Sequence, residues 1–176
     1  MGLFDRFRKN ASGENKTEPE GIQEWTKKGV ALEHLGKDRE ALECFDTALE
    51  INPRDAVAWY DRGIVLFRLG RNLDAITSCD NAIAIYPNYM VAWYNRGTIL
   101  CRLERHLEAI NSFDKALAIK PDFADAWTNR GSALSDLKRY SEAIESYEKA
   151  FALNPMDMDI MFNIGICRSA LGKQGK

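Results

Sequence analysis

Apolar and polar residues follow a helical period along most of this chain, and short polar turns interrupt it. In residues 90–123, apolar side chains recur three and four positions apart from Val91 to Leu103, and again from Leu107 to Ile119. This spacing puts them on one face of a helix. A proline follows the second stretch and ends it, because proline lacks an amide donor and clashes with the preceding turn. The segment is therefore predicted to be a pair of helices.

The same pattern returns every 34 residues. Every tryptophan and every proline of the chain keeps this period, and so does one row of glycines: Trp25, Trp59, Trp93 and Trp127; Pro19, Pro53, Pro87, Pro121 and Pro155; Gly29, Gly63, Gly97, Gly131 and Gly165. A fixed period with the same residue types at fixed offsets indicates one helical hairpin copied in tandem, each copy stacking on the next to bury its apolar face. We expect a flexible linker (1–21), four repeats (22–55, 56–89, 90–123, 124–157) and a capping half-repeat with its tail (158–176).

Within each repeat, small residues are expected to let the two helices approach closely. Gly97 is expected to face Ala109 across the hairpin, with Trp93 filling the space beside the glycine. Gly36 and Gly70 end the first helices of repeats one and two and suit a left-handed helix cap.

The spacing W-x3-G-x2-L, then A-x3-F/Y/C-x2-A and a final P, resembles the tetratricopeptide repeat (TPR). Repeat three shows it in full: Trp93, Gly97, Leu100, Ala109, Phe113, Ala116 and Pro121. The resemblance implies an all-α, right-handed superhelical solenoid of antiparallel helix pairs, in which the first helices line a concave groove that binds peptides or proteins. The chain departs from the pattern at Cys79, where an aromatic residue is usual, and at a row of arginines, where leucine is common: Arg62, Arg96 and Arg130. We expect these arginines to pair with acidic groups on an adjacent helix.

Composition narrows the function classes. The chain is 45% hydrophobic and 28% charged with a formal net charge of −2, so it lacks the basic stripe of a nucleic-acid-binding protein. No apolar run reaches the roughly 18 to 20 residues that span a bilayer, and no signal peptide precedes the repeats. We therefore expect a cytoplasmic protein.

Residues that would support catalysis or bind metal are not clustered. The four cysteines form no C-x-x-C pair and the two histidines lie far from them, so we expect reduced, buried thiols and no metal or cofactor. No nucleophile–base pair or phosphate-binding loop is present. The sequence therefore predicts a non-enzymatic protein.

Candidate ligand-binding residues lie two positions after each tryptophan and at the same offset in the half-repeat. This row consists of Lys27, Asp61, Asn95, Asn129 and Asn163, and its predicted neighbours in the groove are Tyr60, Ile64, Arg68, Tyr94, Thr98 and Arg102. An asparagine amide both donates and accepts, so it can pair with the backbone of an extended peptide. The asparagines resemble the ladder that grips peptide backbones in the TPR superhelix of protein O-GlcNAc transferases. The alternatives are that asparagine is simply common at this place, and that the tyrosines only pack against a neighbouring first helix.

Another family-derived site is absent. Chaperone-tail receptors of the TPR family hold a terminal carboxylate with lysine, arginine and asparagine from three successive repeats. No set of three successive repeats in this chain has a lysine or arginine at the matching positions. Capture of a terminal carboxylate is therefore not expected.

The two ends offer further alternatives. Met161, Ile164 and Leu171 are expected to face the place where a second helix of the half-repeat would lie, with Gly172 capping the last helix. That face is either a modest exposed cap or a contact for a partner or a second copy. At the N-terminus, Leu3 and two phenylalanines are too few to offset the entropy of ordering the segment, which favours disorder over docking on a repeat or contact with an anionic membrane.

Two functions follow. The first is a protein-interaction module that binds an extended peptide or a partner helix in the groove. The second is a self-associating scaffold that uses the C-terminal half-repeat, with weak membrane contact through the N-terminal segment as an addition.

Overall fold

The computed structural model describes residues 18–174, except for the side chains of residues 18–20, 22, 23 and 174. Within this range the chain forms nine helices and no strand: α1 (Glu18–His34), α2 (Asp38–Ile51), α3 (Ala56–Arg68), α4 (Asn72–Ile85), α5 (Met90–Arg102), α6 (His106–Ile119), α7 (Ala124–Asp136), α8 (Tyr140–Leu153) and α9 (Met158–Gln174). Helix α1 begins before the predicted boundary at residue 22, so the end of the expected linker is helical. The predictions for the N-terminal apolar residues fall outside the described residues.

The chain divides into two compact units, Met1–Pro87 and Asn88–Lys176. In unit 1, α1 packs on α2, α2 on α3 and α3 on α4, while α1 also touches α3. Unit 2 repeats this order: α5 packs on α6, α6 on α7, α7 on α8 and α8 on α9, while α5 also touches α7. The predicted all-α architecture of helix pairs is confirmed.

The turn inside each hairpin has one residue in the left-handed conformation. Gly36 has φ 71° and Gly70 has φ 76°, which confirms the predicted caps. The amide of Gly36 donates to Glu33 O at 2.9 Å and satisfies one of the last carbonyls of α1. In unit 2 the equivalent positions are held by Glu104 and Lys138, both with φ 58°. Two side chains therefore stand where glycine would be unstrained.

The repeated glycine makes room for an aromatic ring of the second helix; the expected approach of Gly97 to Ala109 stays a prediction. A Cβ placed on Gly97 would lie 2.6 Å from Phe113 Cε1, and one on Gly131 would lie 2.8 Å from Tyr147 Cδ1. Phe113 is fully buried while Trp93 is only half-buried. The ring of the second helix thus fills the space that we assigned to the tryptophan.

Hydrogen bonds link the tryptophan row to the proline row. Trp59 Nε1 donates to Pro53 O at 2.9 Å, and Trp127 Nε1 donates to Pro121 O at 2.8 Å. A carbonyl left free at a helix end is thereby satisfied by an indole donor six residues later.

The arginine row pairs with acidic groups, as the sequence predicts, and also with buried serines, which it does not predict. Arg130 Nε donates to Asp114 Oδ1 at 2.7 Å, and Arg130 Nη1 donates to Ser146 Oγ at 2.7 Å. Ser146 in turn donates to Glu142 O at 2.9 Å. Unit 1 repeats the arrangement with Arg62, Asp46 and Ser78. The charge–hydroxyl network joins three successive helices.

Helix α9 ends the described chain. Asp157 Oδ1 accepts from Asp159 N at 3.1 Å and caps its N-terminus. Its buried stripe consists of Ile160, Ile164 and Cys167, which pack against α7 and α8 residues. The helix continues through Gly172 to Gln174, so the predicted cap at Gly172 is wrong.

Candidate functional site

The asparagines of the predicted row lie on α5, α7 and α9, the first helices of the hairpins of unit 2. We call Asn95, Asn129 and Asn163 the carboxamide row. All three side chains are half-buried. Their hydrogen bonding differs from one helix to the next, although their sequence context is the same.

Asn129 is held by the neighbouring first helix. Its Nδ2 donates to Tyr94 Oη at 3.0 Å. The Tyr94 ring packs at 4.7 Å from the Phe123 ring and 6.0 Å from the Phe113 ring, measured between centroids. Burial first, and Asp125 second, raises the pKa of Tyr94. The phenol therefore stays neutral, and it fixes one amide proton of Asn129.

Asn95 and Asn163 lack such an anchor. Among the residues that the structure describes, neither side chain has a hydrogen-bond partner. Thr98, one turn after Asn95, donates its hydroxyl to Tyr94 O at 3.1 Å and so is satisfied within α5. The donors and acceptors of Asn95 and Asn163 are therefore available. Asn129, between them in the row, has one donor occupied by Tyr94.

Unit 1 carries charge at the equivalent positions. Lys27 is exposed on α1, and Asp61 is half-buried on α3. Burial, followed by the charges of Glu33 and Asp55, raises the pKa of Asp61 to about 7. Asp61 forms no ion pair within the described part of the chain. This carboxylate is therefore desolvated without compensation.

Arg68 forms two intramolecular ion pairs, and its role as a ligand-binding cation stays a prediction. Its Nη2 lies 2.6 Å from Asp38 Oδ1 and its Nη1 lies 3.0 Å from Glu33 Oε1. The guanidinium therefore joins the ends of α1, α2 and α3. Tyr60 and Ile64 are half-buried beside Asp61 on α3, and Arg102 is exposed at the end of α5.

The predicted self-association residues do not form one surface. Ile164 is 8% exposed and belongs to the core of unit 2, which corrects its assignment to an open face. Met161 is 48% exposed and Leu171 is 39% exposed. The sequence analysis did not assign three other exposed apolar residues of this helix to a self-association surface: Met158, Phe162 and Ile166. Their four-residue spacing is the signal that identifies them as one face.

The described part of the chain contains neither a candidate metal site nor a candidate membrane-spanning helix. No three histidine, cysteine, aspartate or glutamate side chains are grouped so that they could hold a metal ion. No described helix is both long and apolar enough to cross a membrane.

Family models match most of the chain. One tetratricopeptide repeat model matches residues 22–55 and 124–157. A second model with the same description matches residues 54–122. The chain belongs to the tetratricopeptide repeat family. TPR arrays are generally non-catalytic, and this chain is a protein-interaction module of that type. A comparison with curated proteins finds no match.

Solved TPR structures share the fold. A crystal structure of MamA superposes with a TM-score of 0.84 at 21% identity, covering 88% of this chain and 84% of that one. YrrB, described as a TPR protein with an unusual peptide-binding site, gives 0.76 at 20% identity and covers 88% and 83%. The first TPR of Spaghetti (RPAP3), bound to the HSP90 peptide SRMEEVD, gives 0.65 at 24% identity and covers 66% and 93%.

Proposed function

We propose that this TPR chain binds an extended peptide segment of a partner protein along the carboxamide row of unit 2. The observation that carries the proposal is the contrast within the row. Asn95 and Asn163 keep unpaired, half-buried carboxamides, while Asn129 is oriented by Tyr94. The amide atoms of Asn95 and Asn163 are not among the buried side-chain atoms that lack a partner, so solvent can reach them and a ligand can replace that solvent. Two solved TPR neighbours are described as peptide-binding, which supports this mode of recognition.

The expected spacing of the row suits an extended backbone. Packed helices lie roughly 8–10 Å apart, and an extended chain advances about 3.3 Å per residue. Carboxamides on successive first helices would then meet about every third peptide residue. Because each amide pairs with backbone N–H and C=O groups, this contact gives affinity without strong sequence preference.

Selectivity then falls to the residues of unit 2 near the row, where Arg102 is exposed at the end of α5 and supplies a cation. The candidate residues of unit 1 (Lys27, Tyr60, Asp61 and Ile64) stay predictions from the sequence. Arg68 is left out, since its guanidinium already binds two carboxylates. A cytoplasmic location and the absence of nucleic-acid partners stay predictions from the sequence.

The test begins with peptide selection, because no ligand is identified. Random twelve-residue peptides displayed on phage are selected against the immobilised full chain, and enriched peptides are measured by calorimetry. Asn95→Ala combined with Asn163→Ala is expected to weaken binding at least tenfold with unchanged helicity. Asn111→Ala, an exposed asparagine on the second helix α6, is the matched control.

A second arm tests whether the backbone is what the row recognises. Methylating successive amide nitrogens of a selected peptide should weaken binding at about every third position, and alanine substitution there should matter less. Failure to enrich any peptide, or equal affinity for the double variant and the parent chain, would contradict the proposal.

A further inference from the structure

The exposed face of α9 is built to receive another helix. In the other hairpins of unit 2, the repeated glycine is covered by an aromatic ring of the second helix: a Cβ on Gly97 would lie 2.6 Å from Phe113, and one on Gly131 would lie 2.8 Å from Tyr147. At Gly165, a Cβ would meet nothing within 4 Å. The described residues provide no second helix for α9, which packs only through its opposite stripe on α7 and α8.

The uncovered side carries large apolar side chains from Met158 to Ile166 and small residues beyond. We define the α9 face as Met158, Met161, Phe162, Gly165, Ile166, Ser169 and Gly172. Phe162 is 70% exposed and Met158 is 67% exposed, while Met161 and Ile166 are each 48% exposed. Arg168 at its border donates to Glu148 Oε1 at 2.8 Å and is already paired. A contiguous apolar face of this kind on a folded chain marks an interaction surface.

We propose that the α9 face binds the α9 face of a second copy of this chain, with the two helices antiparallel. The charge pattern of α9 favours this occupant. Asp159 and Lys173 are exposed and lie seven residues, or two helical turns, before and after Ile166. In an antiparallel pair centred on Ile166, Asp159 of each copy meets Lys173 of the other. The two contacts are equivalent, as two-fold symmetry requires.

The side-chain sizes fit the same arrangement. In the register centred on Ile166, Phe162 of one copy is level with Ala170 of the other and lies between Ser169 and Gly172 of the opposing face. Large residues therefore meet small ones, which allows close packing of the two helices. A face on a single helix is smaller than the roughly 800 Å² that each partner contributes to a standard interface. We therefore expect a weak dimer that forms at micromolar concentration.

Sedimentation velocity of the full chain from about 1 µM to 500 µM tests the proposal. The sedimentation coefficient should rise from the monomer to the dimer value. Phe162→Glu should keep the chain monomeric throughout, with an unchanged circular dichroism melt because the side chain is exposed. Leu107→Glu, which replaces another apolar residue that is 65% exposed, should leave the association unchanged.

Charge exchange tests the orientation. Lys173→Asp should weaken association at least fivefold, because two carboxylates then face each other at each of the two charge contacts. Combining it with Asp159→Lys should restore association, which general hydrophobic aggregation would not do. Ile166→Cys should give a covalent dimer under mild oxidation, whereas Met156→Cys, exposed just before the helix, should not.

A chain that stays monomeric at 500 µM overturns the proposal and assigns the face to a different partner. A dimer that tolerates Phe162→Glu, or a charge exchange that fails to restore association, overturns it as well. None of these variants replaces a residue of the carboxamide row, and Phe162→Glu is also measured in the peptide-binding experiment so that the two outcomes are separated.

Discussion

Asn129 Nδ2 donates to the phenolic oxygen of Tyr94 at 3.0 Å and thereby links two successive first helices of unit 2. The two residues are 35 positions apart, one more than the repeat length. An equivalent pair of positions therefore recurs once per repeat. Where the row has aspartate instead, at Asp61, the residue 35 positions earlier is Thr26, whose hydroxyl is buried without a partner. The pairing thus depends on both residues and is not a property of the repeat.

The Tyr94–Asn129 bond is expected to contribute to stability. Tyr94→Phe and Asn129→Ala should each lower the free energy of unfolding by about 0.5–1.5 kcal/mol, because a partly buried hydrogen bond is lost. The double variant should lose less than the sum of the two, with a coupling of about 1 kcal/mol in urea unfolding. Tyr140→Phe is the control, since the Tyr140 hydroxyl has no hydrogen bond within residues 24–173. Strict additivity would contradict the prediction.

Asp61 is expected to make stability depend on pH. Its pKa is about 7 in the folded chain and about 3.9 when unfolded. Between these values the folded state holds a proton that the unfolded state has released, so this residue's contribution to stability falls as the pH rises from about 4 to about 7. Asp61→Asn should remove that loss. It should raise the free energy of unfolding at pH 8 by roughly 1–2 kcal/mol, a value reduced for partial exposure, and change it little at pH 4.

The control for this prediction is Asp122→Asn, which changes an exposed carboxylate in the turn before α7. Urea unfolding of the three proteins is compared at pH 4, 6 and 8. Parallel pH profiles for Asp61→Asn and the parent chain would show that the Asp61 carboxylate is not destabilised by folding.

The repeated glycines should respond differently to alanine. Gly97→Ala should lower the free energy of unfolding by about 1–3 kcal/mol, because the new methyl collides with the buried Phe113 ring. Gly63→Ala should be nearly neutral, since its nearest neighbours lie at 3.4 Å and Cys79 replaces the ring. Gly165→Ala should be stabilising by about 0.5–1 kcal/mol through helix propensity alone. Equal effects at the three sites in urea unfolding would refute this account.

The left-handed turn residues of unit 2 should be improved by glycine. Glu104→Gly should raise the free energy of unfolding by about 0.5 kcal/mol, because the relief of strain exceeds the added entropy of the unfolded chain. The reverse change, Gly70→Glu at the equivalent turn of unit 1, should lower it by a similar amount. Thermal unfolding of both variants checks the prediction, which fails if Glu104→Gly is destabilising.

Local features of the fold were predictable because they depend on neighbours close in sequence. The hairpins, the caps at Gly36 and Gly70 and the acidic partners of the arginine row follow from residue types at fixed offsets. The close approach of the Phe113 ring to Gly97 was not predictable, since Ala109 and Phe113 are both buried on α6 and only packing decides which side chain lies nearest. The buried serines were missed because serine on a helix carries no pattern of its own.

The sequence by itself determined the period and the row of positions where function is expected, since a tandem repeat places equivalent residues in equivalent positions. Only the tertiary structure decided which of the predicted site residues remain available. Asn129 is held by Tyr94, Arg68 by two carboxylates, and Ile164 lies in the core, while Asn95, Asn163 and the α9 face stay open. The physical reason is that hydrogen bonding and burial depend on side chains a full repeat away or on the neighbouring helix.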